Sequence, residues 1–337
     1  MAMSAFTVAV VERDKSDDVL CVWSFPGLSS ALQPVLEARC LKEGQACSAM
    51  YFKVRSEWVY VLTLPARSEV QPFVQLISMC IVTKAFNPEK FTSVLQIFYE
   101  QYVGSADPTK ILEAYLSINA TGCFTNRIGT FDNNQYLDAE AFAVESALLE
   151  LAKMLGVDII ILWNAVLLKK RILVVGDSIS QLLTVVRTLP QLAWHRQDWS
   201  ICRPLIGAEP EHMEDICSAG VFIAGSLDGS LANNSDLFDV ILSLTEGRVT
   251  ITQHAVGGMK MCSIHRDVLA AVQECVDRDL AAVDIIRVVE KKTSQVIANL
   301  RGLASGEALT ELAIVDGVQN AGAQQWLVRL ATAENLI

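Results

Sequence analysis

Two proline-marked helix starts constrain the fold of this chain more than any other local signal. Asn87 and Asp107 each stand directly before a proline, and a run with helical spacing of apolar residues follows each pair. A capping residue before proline is typical of a helix N-terminus, because proline lacks an N–H that the first helical position leaves unpaired anyway. Helices are therefore predicted over 88–103 and 108–118.

The residues before these helices alternate between apolar and polar, which favours β-strands. A helix is predicted over 30–40, with Ser29 or Ser30 as its N-cap. The polar stretch 13–18 separates the first two strands and is a hairpin signal. An antiparallel α+β module with its helices at the end is therefore expected. Its strands are predicted over 6–11, 19–25, 48–54, 58–64 and 73–82.

The second half of the chain alternates helices with β-rich runs, which is typical of a layered α/β unit. The stretch 159–168 is apolar on all sides, and this predicts a buried helix. Further helices are predicted over 140–155, 179–189, 265–276, 280–300 and 324–335. Strands are predicted over 171–175, 221–224, 239–244 and 249–252.

A stretch rich in Asn, Gly and Thr lies between the two halves. Residues 119–138 have neither a helical nor a strand period, so they are expected to form a linker. A length of 337 residues also favours two domains. The predicted fold is a bilobed α/β protein, with an N-terminal module at 1–120, a linker at 121–138 and an α/β module at 139–337.

The net charge and the hydropathy of the chain argue against a nucleic-acid partner and against a membrane-spanning protein. The formal net charge is −11, and a surface of that sign repels phosphate backbones, so no nucleic-acid partner is expected. The most apolar run, 157–168, is shorter than the roughly 20 residues that a membrane span needs. No transmembrane segment is predicted. The N-terminus lacks the basic region and the cleavage site of a signal peptide, so a cytoplasmic protein is expected.

The segment Thr188–Trp199 has the richest side-chain chemistry in the chain. The spacing of His195 and Asp198 would let them orient one another on a helical turn, as a general base and its partner do. The two tryptophans suit either interface anchors or core positions with satisfied indole N–H groups. The segment is therefore a candidate docking surface or a buried polar junction. Its candidate residues are Trp194, His195, Arg196, Asp198 and Trp199.

Trp23 is the second candidate position for partner binding. On its predicted strand, Cys21, Trp23 and Phe25 share one face, and Leu20 and Val22 share the other. Because both faces are apolar, the strand is expected either to be central or to carry an apolar outer face. The core alternative for Trp23 is favoured.

No motif in the chain predicts a chemical active site. The turn Val174–Ser178 has a single glycine and lacks the Lys-Ser/Thr pair of a phosphate-binding loop, and Asp177 would repel phosphate. The four histidines have no metal-ligand spacing. The nine cysteines are scattered and favour buried thiols over a disulfide framework or a zinc site. No catalytic residue, cofactor or metal is therefore predicted.

This order of modules, together with several local segments, resembles the DENN-domain family, in which a longin-like module precedes a DENN α/β module. The resemblance is spread over nearly the whole chain and is weakest after about residue 257. Its segments are Val19–Pro26, Ala85–Phe91, Leu167–Ile172, Thr188–Trp199, Val221–Gly225 and Asp236–Val240.

The resemblance implies two functions. DENN modules act as guanine-nucleotide exchange factors for Rab-family small GTPases, binding the switch segments and stabilising the nucleotide-free state without any acid, base or nucleophile. Short members of the family are also associated with the coiled-coil subunits of the Commander assembly of endosomal recycling. Under the second alternative, the chain is a non-catalytic adaptor. Both alternatives imply a protein peripheral to late or recycling endosomes.

Overall fold

The computed structural model describes residues 5–40, 49–136, 146–304 and 309–337. It comprises two compact units, Met1–Ala141 and Phe142–Ile337. Within the described residues, no helix has the length and apolar character needed to cross a membrane. The sequence-predicted start of a helix at residue 140 lies outside the described residues.

The first unit is built on an antiparallel sheet with the strand order β2-β1-β5-β4-β3. The predicted strands and their hairpins are confirmed, with ends that differ by a few residues. The strands are β1 (Phe6–Asp14), β2 (Val19–Phe25), β3 (Ala49–Val54), β4 (Glu57–Pro65) and β5 (Val74–Thr83). The helices of this unit are α1 (Leu32–Arg39), α2 (Pro88–Val103) and α3 (Pro108–Thr121).

The predicted caps of α2 and α3 are confirmed. The Asn87 side chain accepts a hydrogen bond from the backbone N–H of Lys90, and the Asp107 side chain accepts one from Thr109. The predicted serine cap of α1 is wrong. Ala31 is the N-cap, and it is the backbone carbonyl of Ser29 that accepts hydrogen bonds from the first turn.

An aromatic cluster on one face of the sheet forms the core of the first unit. The ring of Phe6 on β1 lies 6.3 Å from Phe98 of α2 and 4.8 Å from Tyr115 of α3. Tyr60 on β4 stacks 4.7 Å from Phe91 of α2. Aromatic pairs at these separations add to the gain from burying their large apolar surfaces. The cluster therefore fixes both helices on the sheet.

The expectation that 119–138 lacks secondary structure is wrong for its described part. β6 (Cys123–Asn126) pairs antiparallel with β7 (Gly129–Asp132). The Asn126 side chain accepts hydrogen bonds from Ile128 and Gly129 and so closes the turn. Strands of four residues with polar threonines are too short to show a period, which is why the pattern missed them.

The second unit contains a mixed sheet with the order β12-β11-β8-β10-β9. β8 pairs in parallel with β10 and β11, β9 pairs in parallel with β10, and β12 is antiparallel to β11. The predicted α/β class is confirmed. The strands are β8 (Ile172–Val175), β9 (Cys202–Arg203), β10 (Ile223–Ser226), β11 (Val240–Ser243) and β12 (Arg248–Ile251).

The helices of the second unit include two that the sequence analysis missed. They are α7 (Pro210–Ser218) and α10 (Glu311–Gly317), and both are too short for a strong helical period. The other helices are α4 (Leu148–Leu155), α5 (Ile159–Leu167), α6 (Ile179–Thr188), α8 (Ser263–Asp277), α9 (Ala282–Gly302) and α11 (Ala321–Ala333).

The apolar helix α5 lies in the core of this unit, as predicted. Trp163 on α5 is buried, and its indole N–H donates to the hydroxyl of Thr293 on α9 at 3.2 Å. Asn164 is also buried, and its side-chain oxygen accepts a hydrogen bond from the Trp326 indole of α11 at 2.8 Å. Because buried polar groups are costly when unpaired, these bonds fix α5 against both helices.

A close approach between β10 and α6 makes Gly225 a sensitive position. A methyl group on Gly225 would lie 2.8 Å from a Val186 methyl carbon and 3.1 Å from Leu182. Overpacking of this kind costs about 1–3 kcal/mol. We therefore expect Gly225→Ala to lower the free energy of unfolding by that amount, measured by urea denaturation.

Gly220→Ala is the matched control, because a methyl group there meets nothing within 4 Å. Equal stability of the two variants would contradict the close packing of α6 on β10.

Candidate functional site

The segment after α6 forms a tight turn at the edge of the second unit. Residues Leu189–Ala193 form a buried 3-10 helix. Trp194, His195 and Arg196 follow as half-buried residues, and Gln197 then takes a positive φ of 44°. This backbone conformation ends the helical path, so the chain changes direction between Arg196 and Asp198.

Arg196 caps the C-terminal end of α5. Its guanidinium donates to the backbone oxygens of Val166 at 2.9 Å and Leu167 at 2.7 Å. The last carbonyls of a helix have no partner within the helix and carry partial negative charge, so a cation there is favourable. Arg196 also donates to the Glu334 carboxylate, which lies just after α11.

Glu334 completes a polar junction with His195 and Arg196. The ring nitrogen Nε2 of His195 lies 3.0 Å from Glu334 Oε1. Burial of Glu334 raises its pKa, but the hydrogen bonds and positive charge of His195 and Arg196 outweigh burial and lower the pKa to about 2. Glu334 is therefore ionised at neutral pH, as its ion pair with Arg196 requires. The junction connects α5, the segment after α6 and the end of α11.

The proposed pairing of His195 with Asp198 is wrong. His195 is bonded to Glu334, and Asp198 is an exposed residue whose carboxylate accepts the backbone N–H of Ser200 at 2.9 Å. The physical reason is the positive φ at Gln197, because residues three apart face each other only when the helix continues between them.

The two tryptophans of this segment pack against each other and stay half-buried. The rings of Trp194 and Trp199 are perpendicular, with centroids 6.2 Å apart. The Trp199 indole donates to the backbone oxygen of Arg187 at 3.0 Å. Part of each ring remains accessible. The segment therefore combines an internal polar junction with an outer surface that contains Trp194, Asp198 and Trp199.

Trp23 lies on the edge strand β2, so the alternative of a central strand is wrong. Its ring stacks on Phe25 at 6.5 Å, and Phe25 contacts Tyr115 edge to face at 5.2 Å. Trp23 is thus the half-buried end of the aromatic cluster. Leu20 and Val22 on the same strand are 58% and 41% exposed.

Helix α1 covers part of this strand edge. The backbone N–H of Cys21 donates to the Glu37 side chain of α1 at 3.1 Å. An unpaired strand edge is otherwise a template for pairing with another chain. The exposed apolar side chains of β2, beside this covered edge, are the strongest candidate surface of the first unit.

The loops after the parallel strands carry carboxylates. Ligands of open α/β sheets bind outside the carboxyl ends of the strands, where the loops after β8 and β10 contain Asp177 and Asp228. Hydrogen bonds from Ser230 lower the pKa of the exposed Asp228. Ser178, at the end of the first loop, accepts a bond from the backbone of Gln181 and so caps α6. These loops are arranged for helix capping and would repel a phosphate group.

Sequence patterns did not reveal a cleft of about 510 Å³ between α8 and α9. Its lining brings together residues far apart in the chain, which no local period indicates. Apolar and polar side chains line it, including Val268, Lys292, Val296, Asn299, Leu300 and Leu327.

His265 is the most deeply buried histidine of the described residues. Its ring lies 5.5 Å from Trp163 and 4.9 Å from Trp326, edge to face in both pairs. Nδ1 accepts the backbone N–H of Cys262 at 3.1 Å and so closes the first turn of α8. Burial lowers the pKa of His265 to about 4, against a smaller opposing effect of the bond with Cys262. His265 is a neutral capping residue of the core.

Comparison with known proteins assigns the family. Residues 65–253 match the family described as DENN domain-containing protein 11. The chain belongs to the DENN-domain family. The match includes most of the segments that carry the resemblance in the sequence, the Thr188–Trp199 segment among them. Membership of this family indicates a regulator of membrane trafficking.

Relatives of this DENN-domain chain cover almost its whole length. A DENN domain-containing protein 10 from Danio rerio is 29% identical, over 98% of this chain and 97% of the relative. Proteins with the same name from Dictyostelium discoideum and Homo sapiens are 27% and 29% identical, over 88% and 87% of this chain and 86% and 84% of the relatives. The similarity therefore includes both compact units.

Lowering the pH is expected to destabilise the second unit through His265. Between its ordinary pKa of 6.5 and its folded pKa of about 4, the unfolded chain binds a proton that the folded chain does not. The free energy of unfolding should then fall by about 3 kcal/mol as the pH drops through this window, with no contribution from this group above it.

Urea denaturation across this pH range, in the natural chain and in His265→Gln, measures the effect. The variant should show a smaller loss of stability between the two pH values. An unchanged pH dependence would mean that the histidine is solvated.

Proposed function

We propose that this protein regulates endosomal membrane trafficking as a guanine-nucleotide exchange factor for a Rab-family GTPase. The observation that carries the proposal is membership of the DENN-domain family, with relatives that match the chain nearly from end to end. The factor would bind the switch segments of the GTPase and stabilise its nucleotide-free state.

Exchange by this route needs binding energy and no chemical step. A protein that binds the nucleotide-free GTPase more tightly than the nucleotide-bound form must weaken nucleotide binding by the same factor. This is why the proposal assigns no catalytic residue and no cofactor to the chain. What it requires is a preorganised docking surface.

The outer surface of the Trp194–Trp199 segment is our candidate contact for the GTPase. His195 and Arg196 are engaged with Glu334 and the end of α5, so they are positioning residues in this proposal. The residues that would contact the partner are therefore Trp194, Asp198 and Trp199. Partly exposed tryptophans held by packing and hydrogen bonds are suited to this role, because little side-chain entropy is lost on binding.

The alternative is a non-catalytic adaptor that binds coiled-coil subunits of the Commander assembly. The observation that favours it is the exposed apolar pair Leu20 and Val22 on β2, next to the half-buried Trp23. An apolar strip of this kind suits the apolar face of a partner helix. In this alternative, the first unit carries the function.

Nucleotide release from a panel of purified Rab proteins tests the main proposal. We expect the chain to accelerate release from one Rab, and Asp198→Lys to slow that accelerated release by about tenfold, equivalent to about 1.4 kcal/mol. Asp316→Lys is the matched control, an exposed aspartate on α10 with the same change of charge. No acceleration across the panel would contradict exchange activity, and equal effects of the two variants would contradict the contact.

Capture of coiled-coil subunits tests the alternative. Leu20→Asp and Val22→Asp should then weaken capture by at least about tenfold, because each removes an exposed apolar side chain from the face of β2 that meets the partner. Leu312→Asp, at a residue of α10 that is 70% exposed, is the control. Undiminished capture by both β2 variants in a folded protein would rule out this strand as the binding surface.

A further inference from the structure

The loop between β12 and α8 exposes apolar side chains from an anchored backbone. Val256 and Met261 are 52% and 42% exposed. Between them, Met259 is buried, and its backbone oxygen accepts a hydrogen bond from Asn164 of α5. A methyl group on Gly257 would meet nothing within 4 Å, so there is open space beside the tip of the loop. We call residues 255–261 the apolar loop.

Basic side chains surround the apolar loop. Arg329 of α11 donates to the backbone oxygen of Gly257 at 2.9 Å. The ammonium nitrogen of Lys170 lies 3.7 Å from the position of a methyl group on Gly258. Lys260 is an exposed residue of the loop itself, and Lys169 directly precedes Lys170.

These cations are not neutralised by neighbouring carboxylates. In the described part of the chain, no ion pair with a carboxylate involves Lys170, Lys260 or Arg329. The nearby Asp239 is already paired with Arg171 and lies 3.0 Å from His254. Asp236 is exposed, and its backbone oxygen accepts a bond from Arg171. The positive charge around the apolar loop therefore remains available to an outside partner.

The charge of these basic side chains is opposite in sign to that of the whole chain, whose formal net charge is −11. An anionic surface would be repelled by the net charge of the protein and attracted by the basic side chains around the apolar loop. Such an arrangement both selects an anionic partner and orients the protein on it.

We propose that the apolar loop and its basic neighbours form a docking surface for an anionic lipid bilayer. Exposed apolar side chains among cations are the combination that binds the interface of such a bilayer, where the cations meet headgroups and the apolar groups enter the acyl boundary. An acidic peptide would be favoured by a cleft that encloses it, whereas there is open space beside the tip of the apolar loop. The proposal is independent of exchange activity.

Co-sedimentation with vesicles tests the proposal. The full chain should bind vesicles of phosphatidylcholine with about 30% phosphatidylserine and should not bind pure phosphatidylcholine, because its basic side chains are attracted only by the anionic headgroups. Binding should fall steeply as salt is raised toward about 1 M, where electrostatic interactions extend only about 3 Å.

Substitutions test whether vesicle binding depends on this surface or on the charge of the whole protein. We expect K170Q with K260Q to weaken the apparent affinity by about five-fold for each lysine, the equivalent of about 1 kcal/mol. V256D should also weaken it, whereas the exposed lysines of K110Q with K291Q are the matched control. Thermal unfolding checks that every variant is folded.

Three results would overturn the proposal. They are no binding to phosphatidylserine vesicles, equal losses in the control pair, and retention of binding by K170Q with K260Q. Capture of polyglutamate that depends on Lys170 and Lys260, without vesicle binding, would identify an acidic protein partner instead.

Discussion

The ion pair between Arg196 and Glu334 is the interaction on which the outer surface of the second unit depends. Arg196 satisfies two backbone carbonyls at the end of the buried helix α5 and at the same time binds the carboxylate beyond α11. One guanidinium therefore holds three parts of the unit together. The two side chains are 18% and 12% exposed, so removing one partner leaves the other charge only partly solvated, and losing either side chain should cost about 1–3 kcal/mol.

This arrangement is compatible with the proposed role of the Thr188–Trp199 segment in binding. Of the two residues that resemble an acid–base pair, His195 is bonded internally to Glu334, whereas the turn at Gln197 places Asp198 on the outside. The two tryptophans are held in fixed positions beside it. A rigid surface loses little conformational entropy when a partner binds, which is what a protein that works by stabilising another protein's conformation requires.

The first unit also holds a surface rigid, but it does so through an aromatic cluster. Its aromatic cluster joins Tyr60 of β4 to Phe91 of α2. At the edge strand β2, the cluster ends with Phe25 and Trp23. The core of this unit thus extends to the surface beside the exposed Leu20 and Val22. A half-buried tryptophan at the end of a rigid cluster is a structural residue that still has surface to offer a partner, so core and interface are not exclusive alternatives for Trp23.

Structural features that depend on residues close together in the sequence were the ones predicted correctly. The caps at Asn87 and Asp107 and the predominantly apolar helix α5 each depend on neighbouring residues, and all three were predicted correctly. The hairpin of β6 and β7 was missed because its strands are too short for a period. The partner of Arg196 could not be predicted, because Glu334 is 138 positions away and no pattern links the two. The pairing of His195 with Asp198 failed because the positive φ of Gln197 has no signal in its residue type.

A double-mutant cycle on Arg196 and Glu334 tests whether the polar junction of His195, Arg196 and Glu334 holds the second unit together, as the proposed docking surface requires. The free energy of unfolding would be measured for R196M, E334Q and the double variant. We expect each single variant to lose about 1–3 kcal/mol, and the double variant to lose at least about 0.5 kcal/mol less than the sum of the two. Single losses below about 0.5 kcal/mol that simply add would contradict it, since they are the values of an exposed pair.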